Sequence, residues 1–215
     1  MLQVTPVIEQ EYVLGNGWGV EALYEHGVLR WFFCHERLHE GETRQMGSGS
    51  QYRCSRTPPS ELLTSAEKIL NALSWHGVAM VEFKRNEAGG HWLIEINPRL
   101  WGSLAVAIDA GADFPWGLYL LSTNAKIGPQ PNYRRPFYTR ALYDDIMWIA
   151  NRASEDGSGM AKEVLKLFRP LLFRESWDHF DWRDLGPTLE ELNKLMRRVG
   201  GVILQRLRHG TRSEE

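Results

Sequence analysis

Only two cysteines, Cys34 and Cys54, occur in the chain. They are too few to staple a fold, and with no secretory leader they read as reduced thiols in a cytoplasmic protein. No apolar run approaches the ~20 residues that span a bilayer, so no membrane partner is expected. A dominant charge sign is also lacking. Lys and Arg number 25 against 27 Asp and Glu, a formal net charge of -2. That balance argues against a nucleic-acid partner or a strongly membrane-attracted surface. Internal repeats and long low-complexity tracts are absent too.

What remains is an ordinary globular composition. The 215 residues, 43% hydrophobic and 24% charged, suffice for one domain, or one domain plus an extension, with a proper core. Nine tryptophans are expected mostly in core and rim packing.

The first third reads as β. Pro6 to Val13 is an extended run ending at the turn-rich Gly15-Asn16-Gly17-Trp18-Gly19. Val20 to Tyr24 and Val28 to Cys34 are apolar runs separated by the hairpin signal Glu25-His26-Gly27. Gly41 to Arg53 is polar, with Gly47-Ser48-Gly49-Ser50, and reads as a loop or mobile hairpin. Pro58 and Pro59 suit a first helical turn. Leu62, Leu63, Ala66, Ile69, Leu70 and Leu73 then recur at helical spacing up to Gly77. Strands are expected over Val78 to Arg85 and His91 to Asn97, the second ended by Pro98, and short helices over Ser103 to Ala110 and Phe114 to Thr123. Gly128 to Pro136 is a Pro-rich connector. Beyond it the chain reads as mostly helical, and its clearest element opens with a capping-box pattern, Thr188 to Glu191. That element carries Leu189, Leu192, Met196, Val199, Ile203 and Leu207 on one stripe. The expected architecture is α+β, a mainly antiparallel sheet backed by helices over 1–125, with a helical extension over 126–215.

Gly77 to Arg99 carries the chemistry. A hairpin centred between Ala88 and Gly89 places Arg85 opposite Trp92, Phe83 opposite Ile94, and Glu82 opposite Glu95. Directly opposed side chains share a face with Cβ atoms ~5 Å apart. Alternation puts Asn97 on that same face, opposite Met80. Two facing carboxylates repel unless something offsets them, and a hard divalent cation does so through oxygen ligands. Arg99 follows close enough to bind phosphates. A solvated pair of acids neutralised by Lys84 or Arg85 is the plainer alternative. It does not explain the apolar setting of Met80-Val81-Glu82-Phe83 and Leu93-Ile94-Glu95-Ile96.

Gly77-Val78-Ala79-Met80-Val81-Glu82-Phe83-Lys84, with Leu93-Ile94-Glu95-Ile96-Asn97-Pro98-Arg99, resembles the metal-site signature of ATP-grasp enzymes. The resemblance is closest to the carboxylate–amine ligase and carbamoyl-phosphate-synthase-like branch. It implies that Glu82, Glu95 and Asn97 hold Mg²⁺ (or Mn²⁺) bridging the phosphates of ATP. It further implies that Arg99 steadies the phosphate and an acyl-phosphate intermediate. Val7-Ile8-Glu9-Gln10-Glu11-Tyr12-Val13 resembles the family's hinge strand, which implies adenine contacts from the carbonyl of Glu11 and the amide of Val13. No ribose-binding carboxylate follows in Gly15-Asn16-Gly17-Trp18-Gly19. Arg37 is loosely similar to an arginine used near the acceptor substrate.

The resemblance covers Pro6 to Thr123, and 126–215 resembles the variable tails of such ligases. Its implied function is ATP- and Mg-dependent joining of a small carboxylate to an amine or thiol through an acyl phosphate. Family members carry a further ATP-grasp subdomain before the hinge strand, so a separate chain supplying that half, or a homo-oligomer joining half-sites, is an expected partner. The alternative is a non-catalytic ATP-grasp remnant or partner-binding module.

Four other signals are weaker. His35-Glu36-Arg37-Leu38-His39 matches a zinc-protease pattern, but it continues a strand-like run in which residues four apart lie ~13 Å from each other. Gly15-x-Gly17-x-Gly19 and Gly47-x-Gly49 read as turns. Asp178, Asp181 and Asp184 read as a capped, solvated turn. The basic Lys194, Arg197, Arg198, Arg206, Arg208 and Arg212 read as a solvated helix face. A glycosidase reading of the paired glutamates leaves Asn97, Pro98 and Arg99 unexplained.

Overall fold

The computed structural model describes residues 9–40, 50–155, 165, 175–178 and 180–197. The Pro6–Val13 run lies partly outside them, as do most of Gly41–Arg53 and the stripe positions Val199, Ile203 and Leu207.

Among the described residues, seven strands form one sheet: β1 (Asn16–Glu25), β2 (Val28–Glu40), β3 (Ser50–Ser55), β4 (Gly77–Arg85), β5 (His91–Asn97), β6 (Tyr138–Arg140) and β7 (Glu175–Trp177). Their spatial order is β5-β4-β1-β2-β3-β6-β7. Every pairing is antiparallel except β6 with β7. The helices described in full are α1 (Ser60–Ala72), α2 (Leu104–Ala110), α3 (Phe114–Ser122) and α4 (Leu142–Glu155), with α5 described over 186–197.

Side-chain alternation divides the sheet into two faces. Val20, Ala22, Tyr24, Cys34, Ala79, Val81 and Phe83 pack against Leu62, Ala66 and Leu70 of α1. The helical spacing of those three leucine and alanine positions supplies the covering stripe. On the other face, Leu23, Trp31, Phe33, Val78 and Met80 pack against Val106, Ala107, Ala110, Phe114 and Leu121 of α2 and α3. No single helix among the described residues is long and apolar enough to cross a membrane; α2 and α3 meet at 92°.

Several elements depart from the sequence expectation. Residues 9–14 are in no strand, because no described strand pairs with them. The Gly15–Gly19 segment is a turn only at Gly15; Asn16 to Gly19 already pair with β4. Gly15 has φ +150, and a Cβ there would meet the Arg85 carbonyl oxygen at 2.5 Å, which accounts for glycine. Strand β2 runs on through His39, and Ser50 to Arg53 are strand rather than loop. Past residue 126 the sheet continues through β6 and β7, each only three residues long and so too short to show alternation. Helix α5 starts two residues before Thr188, where Asp184 Oδ1 accepts from the Gly186 amide at 3.0 Å. Of the tryptophans, Trp31 and Trp101 are buried, whereas Trp92, Trp116 and Trp182 are exposed.

Candidate functional site

Pairing across the sheet aligns Ser55, His35, Gly19, Glu82 and Glu95 in one row running from β3 to β5. The next row aligns Phe33, Glu21, Met80 and Asn97, and the one after it Trp31, Leu23 and Val78. Along a single face the sheet therefore passes from an apolar end under α2 and α3 to a polar end bearing the acids.

Glu82 lies opposite Glu95 and Met80 opposite Asn97, as the hairpin register predicts. Beyond Glu82 a β-bulge shifts the pairing, so Phe83 faces Leu93 and Lys84 faces Trp92. The expected Phe83–Ile94 and Arg85–Trp92 pairs do not form, because the extra residue at Ile94 takes up one register position. Continued without the bulge, the register next to the turn would put Ile94 opposite Glu82; the bulge itself brings Glu95 there. Glu82 is 9% exposed, while Glu95 is exposed.

The Asn97 side chain joins them, its Nδ2 donating to Glu95 Oε1 at 2.7 Å and to Glu82 Oε1 at 3.1 Å. The other Glu82 oxygen, Oε2, lies 2.5 Å from a guanidinium nitrogen of Arg37. Lys84 and Arg85, the alternative partners, are engaged elsewhere. Lys84 donates to the Gly15 carbonyl at 3.2 Å, and Arg85 makes a paired contact with Glu61.

Arg37 reaches Glu82 from two strands away. Adjacent strands are ~4.8 Å apart, so its side chain must cross β1. On that face β1 presents Gly17 and Gly19, both buried, and the missing side chains leave a trough. The Gly-x-Gly spacing thus marks a strand stripped of side chains on one face, where another group passes close to the backbone.

The same trough holds a second pair. His35 Nδ1 lies 2.6 Å from Glu21 Oε1 with neither side chain exposed. A Cβ on Gly19 would sit 2.5 Å from His35 Cε1 and 2.7 Å from Glu21 Oε1. Glu21 Oε2 and His35 Nε2 are buried with no partner. His39 is occupied separately, 2.6 Å from Asp145 Oδ1. The strand thus separates the two histidines of the zinc-protease pattern onto different carboxylates.

Arg99 is exposed and donates to the Leu100 carbonyl at 3.0 Å; it ion-pairs with no acid among the described residues. Glu11 is exposed and Val13 half-buried, and no hydrogen bond joins either to Glu82, Glu95 or Asn97. A cleft of about 570 Å³ begins one residue past Val13, lined by Leu14, Asn16, Trp18, Glu36 and Arg85 among others. Its strand residues belong to the α1 face, opposite to the acids. Two of its charges are already matched, Glu36 by Arg56 and Arg85 by Glu61; Glu87 also lines it. Asp178, Asp181 and Asp184 do not form a cation site. Asp178 pairs with Arg53 at 2.5 Å, and Asp181 and Asp184 accept from nearby backbone amides.

Sequence reasoning named Glu82, Glu95 and Asn97, which the structure brings together, and it left Arg37 only loosely matched. It missed Glu21, whose signal was a lone acid inside an apolar run.

Structural comparison finds the same fold, a mainly antiparallel sheet backed by helices, in a solved enzyme. N5-carboxyaminoimidazole synthetase from Staphylococcus aureus complexed with ADP aligns at 16% identity and TM-score 0.52, covering 68% of this chain and 39% of that one. Rhizobium etli pyruvate carboxylase T882A aligns at 20% identity and TM-score 0.49 (63% and 15% covered). The phosphoribosylaminoimidazole carboxylase ATPase subunit from Aquifex aeolicus aligns at 18% and 0.45 (53% and 36%). The chain spans well under half the length of each. No curated protein matches it. Residues 4–142 match the model of the family described as ATP-grasp in the biosynthetic pathway with Ter operon, and the chain belongs to that family.

Proposed function

We propose that this chain forms the metal-binding wall of an ATP-dependent ligase that joins a small carboxylate to an amine, or to a thiol, through an acyl phosphate. The observation that carries the reading is the convergence of Glu82, Glu95 and the Asn97 amide on one polar patch of the sheet. Two carboxylates and an amide are hard oxygen donors, the set that suits Mg²⁺ or Mn²⁺. The donor set therefore fits the cation the fold family implies. When bound, the cation would neutralise the charge of the nucleotide phosphates.

The chain's own residues supply the rest. Glu82 and Glu95 hold their oxygens at adjacent positions on rigid neighbouring strands, and Asn97 fixes both through its amide. Arg99, free of any acid among the described residues, is placed for a phosphate or acyl-phosphate oxygen. The Glu11 carbonyl and Val13 amide, in no described strand, are offered to the adenine edge. The opposite wall of the nucleotide site would come from outside these 215 residues, on a further segment or a second chain.

The test is Mn²⁺-ADP binding by calorimetry on the wild type, Glu95→Gln and Asn97→Ala, with a thermal melt of each. Loss of binding by about tenfold or more in folded variants is expected. Unchanged binding in both would end the assignment. A partner-binding module without catalysis is a second reading, favoured by Leu189, Leu192 and Met196, all exposed along α5. It predicts no Mn²⁺-ADP binding by the wild type.

A further inference from the structure

Arg37 does more than line the site. Its guanidinium holds Glu82 Oε2 at 2.5 Å while Asn97 Nδ2 holds Glu82 Oε1 at 3.1 Å, so both oxygens of this carboxylate already have donors. Arg37 is only 21% exposed on its side chain, and Glu82 11%. At such burial a contact of this length is weakly screened. The Arg37 Nε is buried with no partner, so the head group is tied to the site through Glu82 and not by a second acid. The passage over Gly17 and Gly19 gives the side chain an open path along the face.

We propose that Arg37 is a resident counter-ion that a divalent cation must displace from Glu82, so that metal affinity is set by exchange against the chain's own guanidinium. The inference rests on the assignment of Glu82, Glu95 and Asn97 as metal ligands. A cation and a guanidinium cannot both occupy Glu82 Oε2 closely without mutual repulsion. A unit charge a few ångström away in a partly buried site alters an ion's affinity by at least about tenfold. Holding Glu82 with Arg37 keeps one of the two facing acids neutralised until a metal-bearing ligand arrives, and it keeps a free cation from settling there tightly.

The experiment measures Mn²⁺ binding to the full chain by electron paramagnetic resonance of the free ion. It uses the wild type, Arg37→Met, Arg37→Lys and Glu95→Gln, with circular dichroism melts to establish folding. Arg37→Met keeps the length and apolar stem and removes the charge; it is expected to bind Mn²⁺ at least about tenfold more tightly. Arg37→Lys should fall between Arg37→Met and the wild type. A purely structural role for Arg37 predicts weaker binding, never a gain. Unchanged or weaker binding in Arg37→Met, with Glu95→Gln still impaired, overturns the counter-ion role and leaves the metal assignment standing. Mn²⁺ binding that Glu95→Gln does not alter, or no binding by any of the four proteins at millimolar ion, removes the assignment and the inference together.

Discussion

His35 Nδ1 and Glu21 Oε1 lie 2.6 Å apart with both side chains wholly buried, and the imidazole rests where Gly19 has no Cβ. A short contact between two ionisable groups in the sheet interior couples three residues on neighbouring strands. Gly19→Ala should force His35 and Glu21 apart, since its Cβ would approach both within 2.7 Å. Overpacking of this kind costs about 1–3 kcal/mol, and urea unfolding would show it as a lower midpoint with an unchanged slope.

The pair can also be taken apart by substitution. His35→Leu or Glu21→Leu alone leaves a buried polar group without its partner, at a cost of about 1–3 kcal/mol. The double replacement should cost clearly less than the sum of the singles. Additive losses in a double-mutant cycle would show that the two residues do not act together.

Glu95→Gln should separate stability from binding. Like charges directly opposite each other destabilise a strand pair, so relieving the charge opposite Glu82 is expected to hold or slightly raise the melting temperature. The same variant should lose Mn²⁺-ADP binding. A drop in melting temperature of several degrees would instead assign Glu95 a structural role.

Arg140, fully buried, joins three elements. Its guanidinium contacts Asp145 on α4 and lies 2.7 Å from Glu175 on β7. Arg140→Met would take the guanidinium from two buried carboxylates, leaving Asp145 its His39 contact and Glu175 the Tyr52 hydroxyl, a loss of about 3–5 kcal/mol. Amide hydrogen exchange should then quicken in α4 and β7 before it does in β1 or β4.

The two cysteines should be inert in the folded protein. Both are buried, and burial pushes each thiol up, Cys34 well above its usual range with Glu21 and Glu36 adding to the effect. A folded-state value above the unfolded one means the native chain keeps a proton that the unfolded chain gives up. Stability from this source is complete below pH 9 and falls as pH rises beyond it. Burial acts on Tyr24 in the same sense, raising it to about 12. Thiol labelling at pH 8 should track global unfolding, and labelling of native protein within minutes would contradict the buried placement.

The acid pair was legible because its information is local. Glu82 and Glu95 sit on two strands joined by a five-residue turn, so counting from the turn places each within one residue of its partner. The count failed between the turn and Glu82, where the bulge at Ile94 inserts a residue that no alternation pattern announces. Arg37 and His35 were harder. Arg37's partner lies 45 residues later and across β1, where only the strand order makes them neighbours, and His35's lies 14 residues earlier, on the adjoining β1. Period-two glycines in Gly15-x-Gly17-x-Gly19 were the available clue, and a turn-based reading of glycine concealed it. The helical texture expected past residue 126 omitted β6 and β7 because three-residue strands carry too little pattern.

By itself the sequence determined the hairpin and brought both acids and the amide close together on it, since period-two alternation and one short turn leave only a one-residue freedom there, which the bulge takes up. Only the tertiary structure decided what neutralises those acids. That depended on placing β1 between β2 and β4, with two glycines on the shared face, so that a guanidinium from one strand could lie across the next. Strand order is set by burial of both sheet faces under α1, α2 and α3, a property of the whole chain that no local window contains.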